Sequence, residues 1–81
     1  MLTPTIGEVG YSVGARRASQ DARSFVRVRV TRLTPTQIIA TDKVGREYRF
    51  YRDTGYRVTF GAMQTLQLDP PHGEGFVEID G

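Results

Sequence analysis

Between Ser24 and Arg32 the chain reads Ser-Phe-Val-Arg-Val-Arg-Val-Thr-Arg. On an extended strand Val26, Val28 and Val30 share one face, and Arg27, Arg29 and Thr31 share the other. Apolar residues recur at helical spacing over no long window, so no helix of normal length is written here. A chain patterned this way must build a sheet with one apolar face. Such a sheet curls on itself or gains a cover, because open edges and a bare apolar face are both liabilities.

The same pattern continues downstream. Pro35 lacks a donor and fixes φ, so Leu33-Thr34-Pro35-Thr36 is a turn. Gln37 to Thr41 is β-branched and apolar and reads as a second strand. Asp42-Lys43-Val44-Gly45 is a turn with Gly45 suited to positive φ. Arg46 to Arg52 forms a third strand, with Tyr48 and Phe50 on one face and Glu47, Arg49 and Tyr51 on the other. Asp53-Thr54-Gly55 is a tight turn, Gly55 taking the left-handed position. Tyr56 to Phe60 reads as a fourth strand, with Val58 and Phe60 inward and Arg57 and Thr59 outward.

The flanks complete the expected fold. Val9, Tyr11 and Val13 alternate within Ile6 to Val13 as a first strand, with glycines at a barrel corner. Gly14 to Arg23 reads as a loop or a single helical turn. Gly61 to Thr65 reads as a short helical turn and Leu66 to Leu68 as a brief strand. Gly75 to Ile79 reads either as a closing strand or as a loose acidic tail. The fold expected is all-β: a small SH3-like barrel of five or six short antiparallel strands with at most one helical turn. Its expected core is Val9, Val26, Val28, Val30, Ile38, Ala40, Tyr48, Phe50, Val58, Phe60 and Leu66.

Eighty-one residues suffice for one small domain, 1–81, whose residues 70–81 either belong to the barrel or form a loosely attached acidic segment. A chain of this size hides only about 60% of its unfolded surface. With no cysteine there is no disulfide framework and no thiolate metal site. No apolar run approaches the roughly 20 residues that cross a bilayer. The N-terminus lacks the basic and apolar regions of a signal peptide. The expectation is a soluble cytoplasmic protein with no membrane partner.

Catalysis finds little support. His72 is the sole histidine and follows Pro70-Pro71, and no G-x-S-x-G context supplies a nucleophile. One histidine and scattered acids do not make a zinc site. Gly7, Gly10 and Gly14 are not spaced as a dinucleotide fingerprint. The expectation is therefore no enzyme, no metal and no cofactor.

Charge is the more informative signal. The net charge is +2, but Arg16 to Arg57 carries ten Arg and Lys43 against four acids, a net +7. Val58 to Gly81 carries four acids and no base. Arginine offers a planar fork of donors suited to phosphate, and tyrosine a face on which a base stacks. Arg27, Arg29, Arg49, Tyr51 and Arg57 are thus the expected nucleic-acid-binding residues, on one outer sheet face. The bland alternatives are a GC-rich genome that raises arginine content and a solvated face with cross-strand ion pairs. The competing functional reading is a protein-interaction module that docks on a host protein or self-associates through barrel edges.

The segment Val30-Thr31-Arg32-Leu33-Thr34-Pro35-Thr36-Gln37-Ile38-Ile39, with Gly45-Arg46-Glu47-Tyr48-Arg49-Phe50-Tyr51-Arg52-Asp53-Thr54-Gly55, resembles a pattern in short bacteriophage and prophage proteins, many from phages of actinobacteria. That pattern is V-T-x-x-T-x-T-Q-I, a glycine turn, an aromatic–arginine strand and R-D-T-G. It covers about 26 of the 81 residues and leaves both flanks without a counterpart. The resemblance implies a small phage-encoded β-barrel acting inside a bacterial host. It carries no catalytic residues over.

Overall fold

The computed structural model describes residues 1–14, 23–72 and 75–79. The expected loop or helical turn between Gly14 and Arg23 falls mostly outside these residues, as do Gly73, Glu74 and Asp80 of the acidic segment. The described residues form seven strands: β1 (Val9–Gly14), β2 (Arg23–Leu33), β3 (Gln37–Thr41), β4 (Glu47–Tyr51), β5 (Tyr56–Arg57), β6 (Gly61–Gln67) and β7 (Phe76–Glu78). The described residues contain no helix. The sheet runs β1-β6-β5-β4-β3-β2, and β1 also pairs with β2. This closes an antiparallel barrel of six strands, the all-β class expected. β7 is an extra strand that runs parallel to the start of β2, Phe76 opposite Arg23 and Glu78 opposite Phe25.

The alternation in β2 sets the interior. Val28 pairs with Gly10 on β1, and Val30 with Ala40 on β3. Ile38 pairs with Phe50 and Ala40 with Tyr48 across β3 and β4. These residues and Leu66 of β6 form the buried core, with Leu2, Val26, Leu33 and Leu68 packed around it. Phe50 and Ile38 are fully enclosed. Truncating a buried phenylalanine costs about 3–5 kcal/mol, a large share of the roughly 4–12 kcal/mol that a domain of this size has in total.

The turns follow the residue chemistry. The Gln37 backbone N–H donates to Thr34 Oγ1 at 2.9 Å, fixing the turn around Pro35. Gly45 and Gly55 take φ of 89° and 77°. Asp42 is buried and accepts from the backbone N–H groups of Val44 and Arg46, both at 3.0 Å. The Tyr48 hydroxyl and Arg46 Nε also donate to it, each at 3.0 Å. Burial opposes the charge on Asp42, yet these hydrogen bonds and the Arg46 guanidinium outweigh it. Its carboxyl is held below its ordinary value. Burial, followed by the neighbouring Asp42 carboxylate, pushes the Tyr48 hydroxyl up.

Four expectations are corrected. First, Val9, Tyr11 and Val13 face outward, and β1 turns Gly10, Ser12 and Gly14 to the interior. Ser12 pairs with Val26 and Leu66, which are inner residues. A Cβ on Gly10 would lie 2.9 Å from Leu66 Cδ1, so the barrel closes here only over a glycine. Val9 is consequently half-buried rather than core. Second, the strand expected over Tyr56–Phe60 stops at Arg57. Thr59 and Gly61 take φ of 79° and 60°, which turns the chain back and leaves Phe60 44% exposed and Val58 half-buried. Third, the expected helical turn at Gly61–Thr65 and brief strand at Leu66–Leu68 are one seven-residue strand, β6. Fourth, Arg57 faces inward, because the register sets it opposite Phe50.

Two buried residues escaped the alternation reading. Ile39 is on the outer side, in register between Arg32 and Arg49, yet only 3% exposed. Val13 is outward and fully buried beside Phe25. Phe25 makes edge contacts with Tyr11 at 5.9 Å and Phe76 at 6.5 Å, a small aromatic cluster outside the barrel.

Candidate nucleic-acid interface

Strands β2, β3 and β4 are consecutive neighbours and present one outer face. Its first row is Arg29, Thr41 and Glu47, and its second is Arg32, Ile39 and Arg49. Tyr51 lies opposite Gln37 in the third, 40% exposed. Arg27 lies two residues before Arg29 on the same face, opposite Tyr11 of β1. Arg29 and Arg49 stand two strands apart, about 10 Å at 4.8 Å per strand. Four of the five expected residues, Arg27, Arg29, Arg49 and Tyr51, are thus gathered on one surface.

Arg57 is not among them. Its guanidinium lies 4.4 Å from the Tyr48 ring and 4.2 Å from the Phe60 ring. Its Nη1 donates to Gln64 Oε1 at 2.6 Å. Ser12 Oγ donates to the same Gln64 oxygen at 3.4 Å. Arg57 is therefore held on the inner side of the sheet, its guanidinium against two aromatic rings and an amide oxygen.

Arg32 takes its place. Strict alternation from Val26 would turn Arg32 inward with the valines. A β-bulge between Val30 and Arg32 adds one residue, and the register resumes with Arg32 opposite Ile39 on the outer side. Thr31, the bulged residue, donates its hydroxyl to the Ile39 carbonyl at 3.2 Å. The signal was present in the sequence: an arginine at a core-parity position just before a proline turn calls for a bulge.

The bonds these arginines make are weak or partial. Arg27 pairs with Glu78 at 3.8 Å, with side chains 61% and 41% exposed. Arg49 pairs with Glu47 at 3.0 Å, with side chains 46% and 49% exposed. Exposed pairs of this kind contribute about 0–1 kcal/mol and exchange readily for another anion. Arg29 donates Nη1 to the Gly7 carbonyl at 3.0 Å, which leaves its other N–H groups available. The Arg32 guanidinium makes no hydrogen bond or ion pair with another described residue, while its backbone pairs with Ile39. The face thus carries four arginines against two carboxylates.

The remaining described arginines hold the fold. Arg52 donates to the Leu2 and Thr34 carbonyls at 3.3 and 2.9 Å, tying the N-terminal segment to the β2–β3 turn. Arg23 donates to the Gly14 carbonyl at 2.8 Å and lies over the Phe76 ring at 5.7 Å. Arg46 is bound to Asp42. His72 is exposed, its Nδ1 3.3 Å from the Pro70 carbonyl. Among the described residues no three His, Asp or Glu side chains converge as metal ligands would. Comparison with protein-family models, with curated proteins and with solved structures gave no match.

Proposed function

We propose that this chain is a non-catalytic module that binds single-stranded nucleic acid along the outer face of β2, β3 and β4, with little sequence preference. The supporting observation is the register that sets Arg27, Arg29, Arg32 and Arg49 on one face with Tyr51 beside them. The arginines would meet phosphates and Tyr51 would stack on a base. A short face three strands wide follows a flexible single strand more readily than a stiff duplex. The resemblance to phage proteins fits such a module acting in a host cytoplasm.

Fluorescence anisotropy with labelled single- and double-stranded DNA and RNA tests this across a salt series. Four phosphate contacts predict a log–log slope of about −3 for single strands, at about −0.7 per contact. Arg27→Ala with Arg49→Ala brings it to about −1.4. Absence of binding at low salt, or a slope unmoved by the double substitution, rejects the interface.

One observation favours the protein-interaction reading as the alternative. The β5–β6 tip exposes Phe60 and Met63 at 44% and 57%, and β7, the end strand of the sheet among the described residues, exposes Val77 at 54%. Sedimentation velocity over a concentration series would show self-association through these groups, and Phe60→Ser with Met63→Ser would abolish it.

A further inference from the structure

Among the described residues, the edge of β2 that faces β3 and β7 is incompletely paired. β7 pairs with Arg23–Phe25, and β3 pairs with Arg29–Leu33. Among the described residues, Val26, Arg27 and Val28 have no partner strand on that edge. Backbone direction alternates along a strand. Val30 exchanges hydrogen bonds with Gly7 and Glu8 on the β1 side, at 2.8 and 2.9 Å. The Phe25 carbonyl accepts from Ile79 on the opposite side, at 2.8 Å. Arg27 shares the parity of Phe25, so its N–H and C=O point into the gap. The gap opens as a cleft of about 410 Å³. Its lining is mixed: Val9, Val26 and Ile79 supply apolar surface, and Arg27, Arg29, Lys43, Asp42 and Glu78 supply charge.

We infer that this cleft takes one unstacked base of the bound single strand, an inference that rests on the interface proposed above. The volume falls in the range of small-ligand sites, about 300–1,000 Å³. An extended peptide is the poorer occupant. Three unpaired residues span about 10 Å, and the end of β3 at Thr41 and the chain at Ile79 bracket them, so an added strand has no path onward. A compact planar group has no such need. The apolar part of the lining, Val9, Val26 and Ile79, suits the faces of a base, and an adjacent donor and acceptor on Arg27 suit its polar edge, which carries both functions in every base. Arg27 and Arg29 belong both to the cleft and to the arginine face. A strand whose phosphates follow that face therefore reaches the cleft in a single binding event. Glu78, 3.8 Å from Arg27, disfavours phosphate on the β7 side and places it by Arg29.

The test compares a thymidine oligonucleotide with an abasic oligonucleotide of equal length at one low salt concentration. Each carries the same phosphates. The base-bearing strand should bind at least about tenfold more tightly. In a ¹H–¹⁵N spectrum of the full chain, thymidine monophosphate should shift the Arg27 and Val28 amides saturably. Val9→Phe, which narrows the cleft from the outer side, should remove the preference for bases and leave the salt slope intact. Equal affinity for the two strands overturns the base site while the arginine face stands. Failure of both strands to bind overturns both readings. Saturable shifts at Arg27 with an acidic–apolar peptide, and none with thymidine monophosphate, give the cleft to a peptide and likewise overturn it.

Discussion

Thr59 is a β-branched residue at φ 79°, on an exposed hairpin. Left-handed backbone costs an L-residue roughly 1–2 kcal/mol, because Cβ crowds the following carbonyl. Thr59→Gly removes that crowding and adds about 0.5–1 kcal/mol of chain entropy to the unfolded state. The difference is a net gain of about 0.5–1 kcal/mol. For a domain of 60–100 residues 1 kcal/mol moves Tm by about 4–8 °C, so Tm should rise by about 2–8 °C. The flanking bonds survive the change, since Phe60 N–H to the Arg57 carbonyl at 3.1 Å and Met63 N–H to the Phe60 carbonyl at 3.3 Å involve backbone alone. The control is Thr36→Gly, an exposed turn position without positive φ, which should lose about 0.5–1 kcal/mol. Both variants are read by thermal unfolding followed by circular dichroism. If Thr59→Gly is destabilised as much as Thr36→Gly, the strain at Thr59 is not real and the hairpin geometry argued from it fails.

Further substitutions separate other parts of the account. Gly10→Ala should cost about 1–3 kcal/mol by overpacking, because its Cβ meets a buried Leu66 at 2.9 Å; chemical denaturation measures it. Gly45→Ala meets open space and should cost only the backbone strain of its φ of 89°, about 1–2 kcal/mol. Arg57→Met should lower Tm yet leave oligonucleotide affinity and its salt slope unchanged, since Arg57 lies against Tyr48 and not on the outer face; a changed slope would return it to the interface. The stability that Asp42 lends is complete above its ordinary value of 3.8 and is lost as pH falls through its lower folded value. Asp42→Asn should therefore be less stable than wild type at neutral pH, with the gap closing below about pH 3.8 in melts recorded down the acid range.

The parts of the barrel legible in sequence are those that period and turn chemistry decide locally. Val28 and Val30, Ile38, and Tyr48 with Phe50 face inward as their alternation requires. Alternation failed where the neighbour across the sheet overrides it. In β1 the valines and Tyr11 outweigh the glycines in hydrophobicity, yet proximity to Leu66 admits only a small residue inside. At Arg57 the hairpin geometry of Thr59 and Gly61 shifts the pairing, so an arginine faces Phe50. At Arg32 a bulge reverses parity. The misplacements in β1 and at Arg57 are shifts of one residue, and each swaps inside for outside because the strand period is two, as the bulge does for Arg32.

The placement of the segment from Val30 to Gly55 bears on where function lies. Thr34 caps the β2–β3 turn, and Thr31 closes the bulge on Ile39. Gly45 turns between β3 and β4, and Arg52 ties Leu2 to Thr34. Asp53 and Thr54 bind the backbone of their own turn at 2.8 and 3.1 Å, and Gly55 accepts from the Leu66 N–H at 2.8 Å. Most of the motif therefore specifies turns and register. Arg32, Arg49 and Tyr51 lie within the segment without a structural bond that accounts for their type, Arg49 making only an exposed ion pair. Arg27 and the cleft walls at Val9 and Ile79 lie outside it. Chains sharing the segment should then share the barrel, while retention of arginine at positions 27 and 29 would separate those that share its ligand from those that share its fold alone.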